Sequence, residues 1–328
     1  MIIHTRQDPS LNECLSWPRR WVARWVSAQP QPLVVGWPFN GTRRWHLLQQ
    51  RGNPDTGDYV TTVIRRQAEQ HRLVFEHGAS VILAPCFGYE LLSRGEEYTR
   101  TVLGGLLKLG DDAVNREMFA NGVRLRFYGD YEEVLDTPEF RPLLDACEDL
   151  TAATASGDGP LLLIGLFADA PHERLARLSV EFARLWGRPP NRQELIEGYY
   201  GIHVPDLSLY LGFSQPALFD VPLITTGAED LYATLTPSPE LTEWQWREIL
   251  YDHLVLRRAP DADYEALPEE ALEQLARYNE THREATLGVG RIDPLTGVWN
   301  PVLPGHPETT EDAGERYNAK EERIRTRG

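Results

Sequence analysis

The chain lacks most of the signatures that assign a protein class at sight. Its three cysteines, Cys14, Cys86 and Cys147, are odd in number and widely spaced, with no CxxC pair or Cys/His spacing of a zinc site. They read as reduced, partly buried thiols. The nine histidines show no HExxH pattern. No run of about 18 apolar residues exists, which excludes a membrane-spanning helix. The start, Met1 to Asp8, has no basic stretch followed by an apolar one, so a cytoplasmic location is expected. Neither a GxxxxGKS/T phosphate loop nor a GxGxxG fingerprint occurs. Basic charge is scarce: 33 Lys and Arg face 49 Asp and Glu, a net −16 that argues against a nucleic-acid partner.

What is present suffices for a large core. The 328 residues are 41% apolar and 25% charged, which speaks against global disorder. The charge is uneven. Residues 1–66 hold nine Arg against one Glu and three Asp, a local +5, leaving −21 for the rest. That segment carries either a local anion site or a chance cluster on a solvated face. Residues 1–30 read as an N-terminal Trp/Arg helical segment: Trp17, Trp21 and Trp25 recur every fourth residue, with Arg19, Arg20 and Arg24 between them. The Trp stripe is expected to pack on the body, a membrane-surface helix being the lesser reading because Pro18 and Pro30 confine it.

Short apolar runs then alternate with helical patterns. Leu33–Trp37, Ser80–Pro85, Val123–Tyr128, Leu161–Phe167 and Leu207–Phe213 read as buried strands, with Val221–Thr225 and Leu231–Thr236 as weaker candidates. Helical periodicity covers Thr61–His77, Glu90–Leu109, Glu173–Trp186 and Thr242–Arg257, and Thr151–Gly159 reads as a loop. This alternation predicts an α/β fold with a central parallel sheet and helices on both faces. Residues 31–303 are taken as one catalytic domain and 304–328, rich in Pro, Glu and Arg, as a polar flexible tail.

The segment Trp37-Pro38-Phe39-Asn40-Gly41-Thr42-Arg43-Arg44-Trp45 follows the first strand and opens a helix. Ligands of such sheets bind at strand carboxyl ends. Gly41 lets the backbone approach a ligand, free amides at a helix start favour an anion, and Arg43 and Arg44 add forked donors. Gly41, Thr42, Arg43 and Arg44 thus read as a phosphate or diphosphate cradle, or else as a helix start with two solvated arginines. Tyr59 and Tyr98 lie where strand ends converge; each phenol could donate to a leaving diphosphate or orient a water, or be structural. Trp37, Phe39, Trp45, Phe87 and Tyr89 could line a pocket that shelters a cation on aromatic faces, or pack in the core. Asp111-Asp112-Ala113-Val114-Asn115 lacks the last Asp of a metal box and reads as a solvated turn. Asp261-Ala262-Asp263-Tyr264 lacks the fourth Asp of a protonating DxDD motif, so a conventional helical terpene cyclase is not supported.

Phe39-Asn40-Gly41-Thr42-Arg43-Arg44-Trp45 resembles the first box of cis-prenyltransferases, Asp-Gly-Asn-Gly-Arg-Trp, and Val123 to Asp130 resembles their Val-Arg-(Leu/Val)-x-x-x-Gly-Asp. The resemblance is stronger to a divergent terpene-synthase branch, the tuberculosinol synthase and tuberculosinyl adenosine transferase type together with kolavelool synthase. There the box is Pro-Phe-Asp-Gly-Thr-Arg-Arg-Trp, repeated here at Pro38–Trp45 with one change. Leu73–Gly78, Phe127–Tyr131, Ile196–Gly201 and Ile249–His253 extend the likeness over about residues 33 to 258. It implies a cis-prenyltransferase (undecaprenyl diphosphate synthase-like) fold, a homodimer and a hydrophobic tunnel. It also implies an enzyme that ionises a bicyclic diterpene diphosphate, kolavenyl or halimadienyl (tuberculosinyl), with water capture to a tertiary allylic alcohol. The alternatives are terpenyl transfer to adenosine and a non-catalytic prenyltransferase-like subunit. By position, Arg43 and Arg44 would hold the diphosphate, Tyr59 and Tyr98 would act near the leaving group or water, and Asn40 stands where the family has its catalytic Asp.

Two departures from the pattern matter. Thr225 replaces the Arg that chain-elongating relatives use for a second diphosphate, which favours a one-diphosphate reaction. Asn40 can neither act as a base nor bring charge to a metal. It is either an inactivating, engineered replacement or the mark of an enzyme with another base. Mg2+ is therefore an expected cofactor without a clear carboxylate; Glu229, Asp252 and Asp58 are candidate substitutes.

Overall fold

The computed structural model describes residues 8–52, 57–168, 170–215, 217–260 and 262–303, apart from the side chains of residues 91, 98 and 102. Asp261 and the expected tail at 304–328 lie outside the described residues. Six strands form the central sheet: β1 (Val34–Gly36), β2 (Val81–Phe87), β3 (Arg124–Tyr128), β4 (Leu161–Leu166), β5 (Leu209–Phe213) and β6 (Asp230–Thr234). Their order is β3-β4-β2-β1-β5-β6, and every pairing is parallel. Successive residues alternate between two cores, as pleated strands require. Val35, Ile82, Ala84, Leu162 and Ile164 face one, and Val34, Val81, Leu83, Leu161 and Leu163 face the other. Both faces are covered over the middle of the sheet, so β1, β2, β4 and β5 are apolar throughout, while the edge strands β3 and β6 carry Arg124, Arg126 and Asp230.

The helices are α1 (Leu11–Ser16), α2 (Arg19–Ser27), α3 (Thr42–Gly52), α4 (Tyr59–Glu76), α5 (Glu96–Leu109), α6 (Ala113–Ala120), α7 (Tyr131–Leu135) and α8 (Arg141–Thr154). They continue as α9 (Pro171–Trp186), α10 (Arg192–Tyr200), α11 (Glu243–Leu254) and α12 (Glu269–His282), before a small antiparallel hairpin of β7 (Gly290–Ile292) and β8 (Trp299–Pro301). The first core receives Val22 and Val26 from α2, Ala68 and Val74 from α4, Leu103 and Leu106 from α5 and Trp246 and Leu250 from α11. The second receives Ile196, Tyr199 and Tyr200 from α10, with Leu175 and Leu178 of α9 beside them. Each such buried aliphatic side chain contributes about 1.5–3 kcal/mol. No helix among the described residues is long and apolar enough to cross a membrane.

Several sequence expectations are corrected. The N-terminal stretch is two helices, because Pro18 holds Trp17 extended and stops α1. Its buried side is Val22 and Val26; Trp21 is 52% exposed, while Trp17 packs edge-on against Trp21 and Trp25. Arg19 is not simply solvated: it bridges Glu76 and Glu243, each at 2.6 Å. The expected helix Glu90–Leu109 is a 3-10 turn, Tyr89–Arg94, followed by α5, since Gly95 at φ 97° breaks the run. Val221–Thr225 is no strand: Pro222 has no amide to pair and Leu223 takes φ 68°. The expected loop at Thr151–Gly159 begins as the last turn of α8, where buried Thr154 accepts from Leu125 N at 3.0 Å. Asp112 is buried rather than solvated, and caps α6 through Val114 N and Asn115 N.

Arg247, 6% exposed on α11, ties the N-terminal segment to the body. Its Nη1 donates to the carbonyls of Cys14 (3.1 Å), Leu15 (3.1 Å) and Trp17 (2.6 Å), satisfying groups that the end of α1 leaves open. Its Nη2 donates to Glu243 at 2.6 Å and its Nε to His77 Nε2 at 3.2 Å. Burial pushes His77 below the usual histidine range, which keeps that nitrogen an acceptor. Arg247→Ala leaves those carbonyls without their donor and Glu243 with Arg19 as its remaining guanidinium partner. It is expected to cost about 3–5 kcal/mol, read as a lower denaturant midpoint at unchanged slope; a loss under about 1 kcal/mol would contradict this role.

Candidate active site

The site begins where β1 ends. Trp37 N donates to Leu83 O at 2.7 Å, and the chain then turns away from the sheet. Asn40 N donates to Pro38 O (2.9 Å) and to Ser238 Oγ (3.1 Å), and Ser238 N donates back to Asn40 O at 3.0 Å. The turn is thus stapled to the loop after β6. Gly41 follows at φ 78°; a Cβ there would lie 2.8 Å from both the Phe213 ring and Pro237. Only glycine fits this conformation and this gap without strain. α3 starts at once, with Trp45 N on Gly41 O at 3.0 Å, so its first amides and the positive end of its dipole face the crevice. Arg44 lies over the Phe213 ring at 4.7 Å, which fixes its guanidinium beside the turn.

Tyr59 opens α4, whose start is capped by Asp58 through Thr61 N at 3.0 Å. The Tyr59 hydroxyl and Thr42 Oγ1 are 2.8 Å apart, and His46 packs edge-on against the Tyr59 ring at 5.4 Å. Residues of the box and the second expected segment are therefore joined directly. Tyr98 lies in α5; its side chain is outside the described residues. Arg94, at the end of the 3-10 turn after β2, stands in the same cavity wall as Arg43 and Tyr59.

A cavity of about 500 Å3 runs inward from this rim, within the range of small-molecule sites. Its body is apolar: Val63 and Ile64 of α4, Leu106 and Leu109 of α5, and Phe87 and Ile164 of the sheet. Ala68, Phe119 and Leu125 close a narrow space beyond Ile64 and Ile164. The titratable groups at depth are neutral: burial pushes the His71 imidazole down to about 3 and the Cys86 thiol up to about 11. Charge gathers only at the mouth, with Arg43, Arg44, Arg94 and Glu90 beside Asn40. A largely apolar chamber with cations at its open end suits an amphiphile with an anionic head.

Of the expected residues, Asn40, Gly41, Thr42, Arg43, Arg44, Tyr59, Phe39 and Phe87 line this one cavity. Trp37 does not: it is fully buried, edge-on to Phe39 and His71, and serves the core. Tyr89 also lies elsewhere, its hydroxyl 3.1 Å from Asp130. Trp45 is 8% exposed and outside the cavity wall. Arg94 belongs to the segment Arg94–Tyr98 after the second strand, where the sequence points to Tyr98 alone, and Glu90 has no role assigned from sequence. The signal was there, since they follow the carboxyl end of β2 as Arg43 follows that of β1.

A resident metal does not fit the donor set. The box position supplies a neutral amide, and no group of three or more His, Cys, Asp or Glu side chains converges among the described residues. The candidate substitutes are committed elsewhere. Glu229 accepts from Thr226 N and Gly227 N at 2.9 Å, Asp252 pairs with Tyr232 and Arg257 at 2.6 Å, and Asp58 caps α4.

Because Gly41 is held between Phe213 and Pro237, Gly41→Ala is expected to cost at least about 1–2 kcal/mol and to displace the start of α3. Unchanged thermal unfolding together with unchanged pyrophosphate affinity would contradict that constraint.

No family model matches the chain. It is 35% identical over 271 residues to the tuberculosinyl adenosine transferase of Mycobacterium tuberculosis (strain CDC 1551 / Oshkosh), covering 82% of this chain and 90% of that protein. Its fold matches a probable undecaprenyl diphosphate synthase from Campylobacter jejuni with a TM-score of 0.52 at 16% identity, over 71% of this chain and 99% of the other. It also matches lavandulyl diphosphate synthase from Lavandula x intermedia, solved with dimethylallyl diphosphate, with a TM-score of 0.50 at 13% identity over 70% and 97%. The chain belongs to the family of the tuberculosinyl adenosine transferase, within the cis-prenyltransferase fold.

Proposed function

We propose that this chain is an enzyme that ionises an allylic terpenyl diphosphate and transfers the terpenyl group to an acceptor. The observation that carries this reading is the single chamber with an apolar body and an arginine-rich mouth at the start of α3. The hydrocarbon would occupy the chamber, and the diphosphate would meet the α3 amides, Arg43, Arg44 and Arg94. The allylic C–O bond breaks with its electron pair leaving on the diphosphate. These fixed positive groups stabilise the departing anion, which lowers the barrier without reorganisation at the moment of reaction. Phe39 and Phe87, which line the chamber, would bring aromatic rings beside the allylic cation. The acceptor then donates a lone pair to that cation, and any proton it loses can pass to the released diphosphate. Thr42 Oγ1 and the Tyr59 hydroxyl stand 2.8 Å apart at this mouth; one donates to the other, which is left to donate to the leaving group.

Adenosine is the acceptor favoured by the 35% identity to a tuberculosinyl adenosine transferase. Water capture, giving a tertiary allylic alcohol from a kolavenyl or halimadienyl substrate, is the second reading. It draws support from Asn40, which leaves position 40 without a base for a second substrate. Chain elongation is disfavoured: Thr225 brings no cation, and the following loop closes on itself through Glu229. We further infer a homodimer. β6 is an open edge strand, and Leu231 and Leu235 beside it are 45% and 52% exposed.

Incubation with halimadienyl or kolavenyl diphosphate, with and without adenosine, is expected to release pyrophosphate and yield a terpenyl-adenosine or a diterpene alcohol by mass spectrometry. No product from either diphosphate would sink the reading. Arg43→Ala is expected to weaken pyrophosphate binding by about 1.5–3 kcal/mol, roughly 10- to 150-fold, in calorimetry. Light scattering at micromolar concentration is expected to give twice the chain mass; a monomer there removes the dimer.

A further inference from the structure

Asp130 ends the segment 123–130 that carries part of the family likeness, and it does not line the chamber. It follows β3, so it lies on the same edge of the parallel sheet as the mouth. It is 4% exposed, and its N donates to Phe167 O at 3.2 Å. Its Oδ1 accepts from Arg174 Nη1 at 2.8 Å and from Arg177 Nη2 at 3.3 Å, both on α9. Its Oδ2 accepts from the Tyr89 hydroxyl at 3.1 Å. One carboxylate thus knots together the chain after β2, β3 and β4. Tyr89 opens the 3-10 turn Tyr89–Arg94, which carries Glu90 and Arg94 into the chamber wall. That turn is weakly held by itself. It has six residues, no side-chain cap at its start, and a glycine on either side, at 88 and 95. A 3-10 run has poor internal hydrogen bonds, so its placement falls to contacts outside it. Tyr89 supplies two: its hydroxyl on Asp130, and its ring at 5.7 Å from that of Phe167.

We propose that Asp130 and Tyr89 are positioning residues for the arginine mouth: the bond between them sets the turn that aims Arg94 at the diphosphate. The inference rests on the diphosphate reading proposed above and deepens it. The mouth then has two jaws, built on the two halves of the sheet. Strands β1, β5 and β6 make one half, where Asn40, Phe213 and Ser238 fix the turn that presents Arg43 and Arg44. Strands β2, β4 and β3 make the other, where Asp130 fixes the turn that presents Arg94. An anion gripped from both sides needs the jaws in register, and a shift of either one weakens the grip of both. Asp130 keeps its two guanidinium partners when Tyr89 is replaced. The tyrosine bond can therefore be cut without leaving a buried charge unpaired.

The test titrates the full chain with inorganic pyrophosphate in a calorimeter. Tyr89→Phe keeps the ring on Phe167 and removes only the bond to Asp130. It is expected to weaken pyrophosphate by about three- to tenfold. The decisive readout is a double-variant cycle. Tyr89 acts through Arg94, so Tyr89→Phe is expected to cost nothing further once Arg94→Ala is in place. Its effect is expected to add in full to that of Arg43→Ala, on the opposite jaw. Asp130→Ser, which removes the acceptor and both ion pairs, is expected to lower the thermal midpoint. Below that midpoint it is expected to weaken pyrophosphate at least as far as Tyr89→Phe. The proposal is overturned if Tyr89→Phe lowers the thermal midpoint but binds pyrophosphate like the parent, as a merely structural bond would. It is equally overturned if the effect of Tyr89→Phe adds undiminished to that of Arg94→Ala. Should Asp130→Ser fail to fold, the Tyr89→Phe cycle still decides. The parent separates this inference from the reading beneath it. A parent that binds no pyrophosphate overturns the mouth and the placement with it, whereas a parent that binds, matched by Tyr89→Phe, overturns the placement alone.

Discussion

The site depends on one constraint at the carboxyl end of β1. The chain must leave a sheet buried on both faces and begin α3 within five residues, next to β5 and the loop after β6. It does so with Gly41 at φ 78°, in a gap between Phe213 and Pro237 too small for a Cβ. The reciprocal bonds between Asn40 and Ser238 lock the turn before the helix begins. From that one fixed turn follow the direction of the α3 amides, the stacking of Arg44 on Phe213 and the 2.8 Å contact of Thr42 with Tyr59. A parallel sheet makes such convergence natural. The loops after β1 and β2 emerge on the same edge, so Arg43 and Arg94 come together although 50 residues separate them in the chain.

Electrostatics in this molecule is a matter of position rather than of total charge. The chain carries −16, yet the chamber is charged only at its mouth. Deeper in, desolvation keeps His71 and Cys86 neutral, so the apolar end offers no anion to capture a cation early. At the mouth Glu90 stands among Arg43, Arg44 and Arg94, while Glu96 and Glu97 line a neighbouring cavity. An anionic head at that mouth thus meets three arginines against one carboxylate.

The N-terminal segment shows how a basic stretch can be structural. Arg19 bridges Glu76 and Glu243, and Glu243 in turn meets Arg247, whose guanidinium carries the open carbonyls of α1. Three elements distant in sequence, α1, the end of α4 and α11, are held through one buried cation. Of the described arginines in residues 8–66, Arg43 and Arg44 alone line the chamber.

The sequence by itself determined the parallel α/β class, because apolar runs buried on two faces leave no other periodicity. It also determined the anion-facing turn at Gly41–Arg44, because glycine, helix start and paired arginines are contiguous there. Only the tertiary structure decided which aromatics meet the chamber. Trp37, Phe39 and Phe87 look alike in sequence, and the packing of Trp37 between Phe39 and His71 keeps it in the core while Phe39 and Phe87 reach the wall. It likewise decided that Pro18 and Gly95 divide stretches whose periodicity reads as continuous, since local backbone geometry overrides the hydrophobic pattern. The meeting of Arg43 with Arg94 in one cavity wall rests on the parallel pairing of β1 with β2, which brings the loops after both strands to the same edge of the sheet. No local spacing rule encodes a contact of that kind.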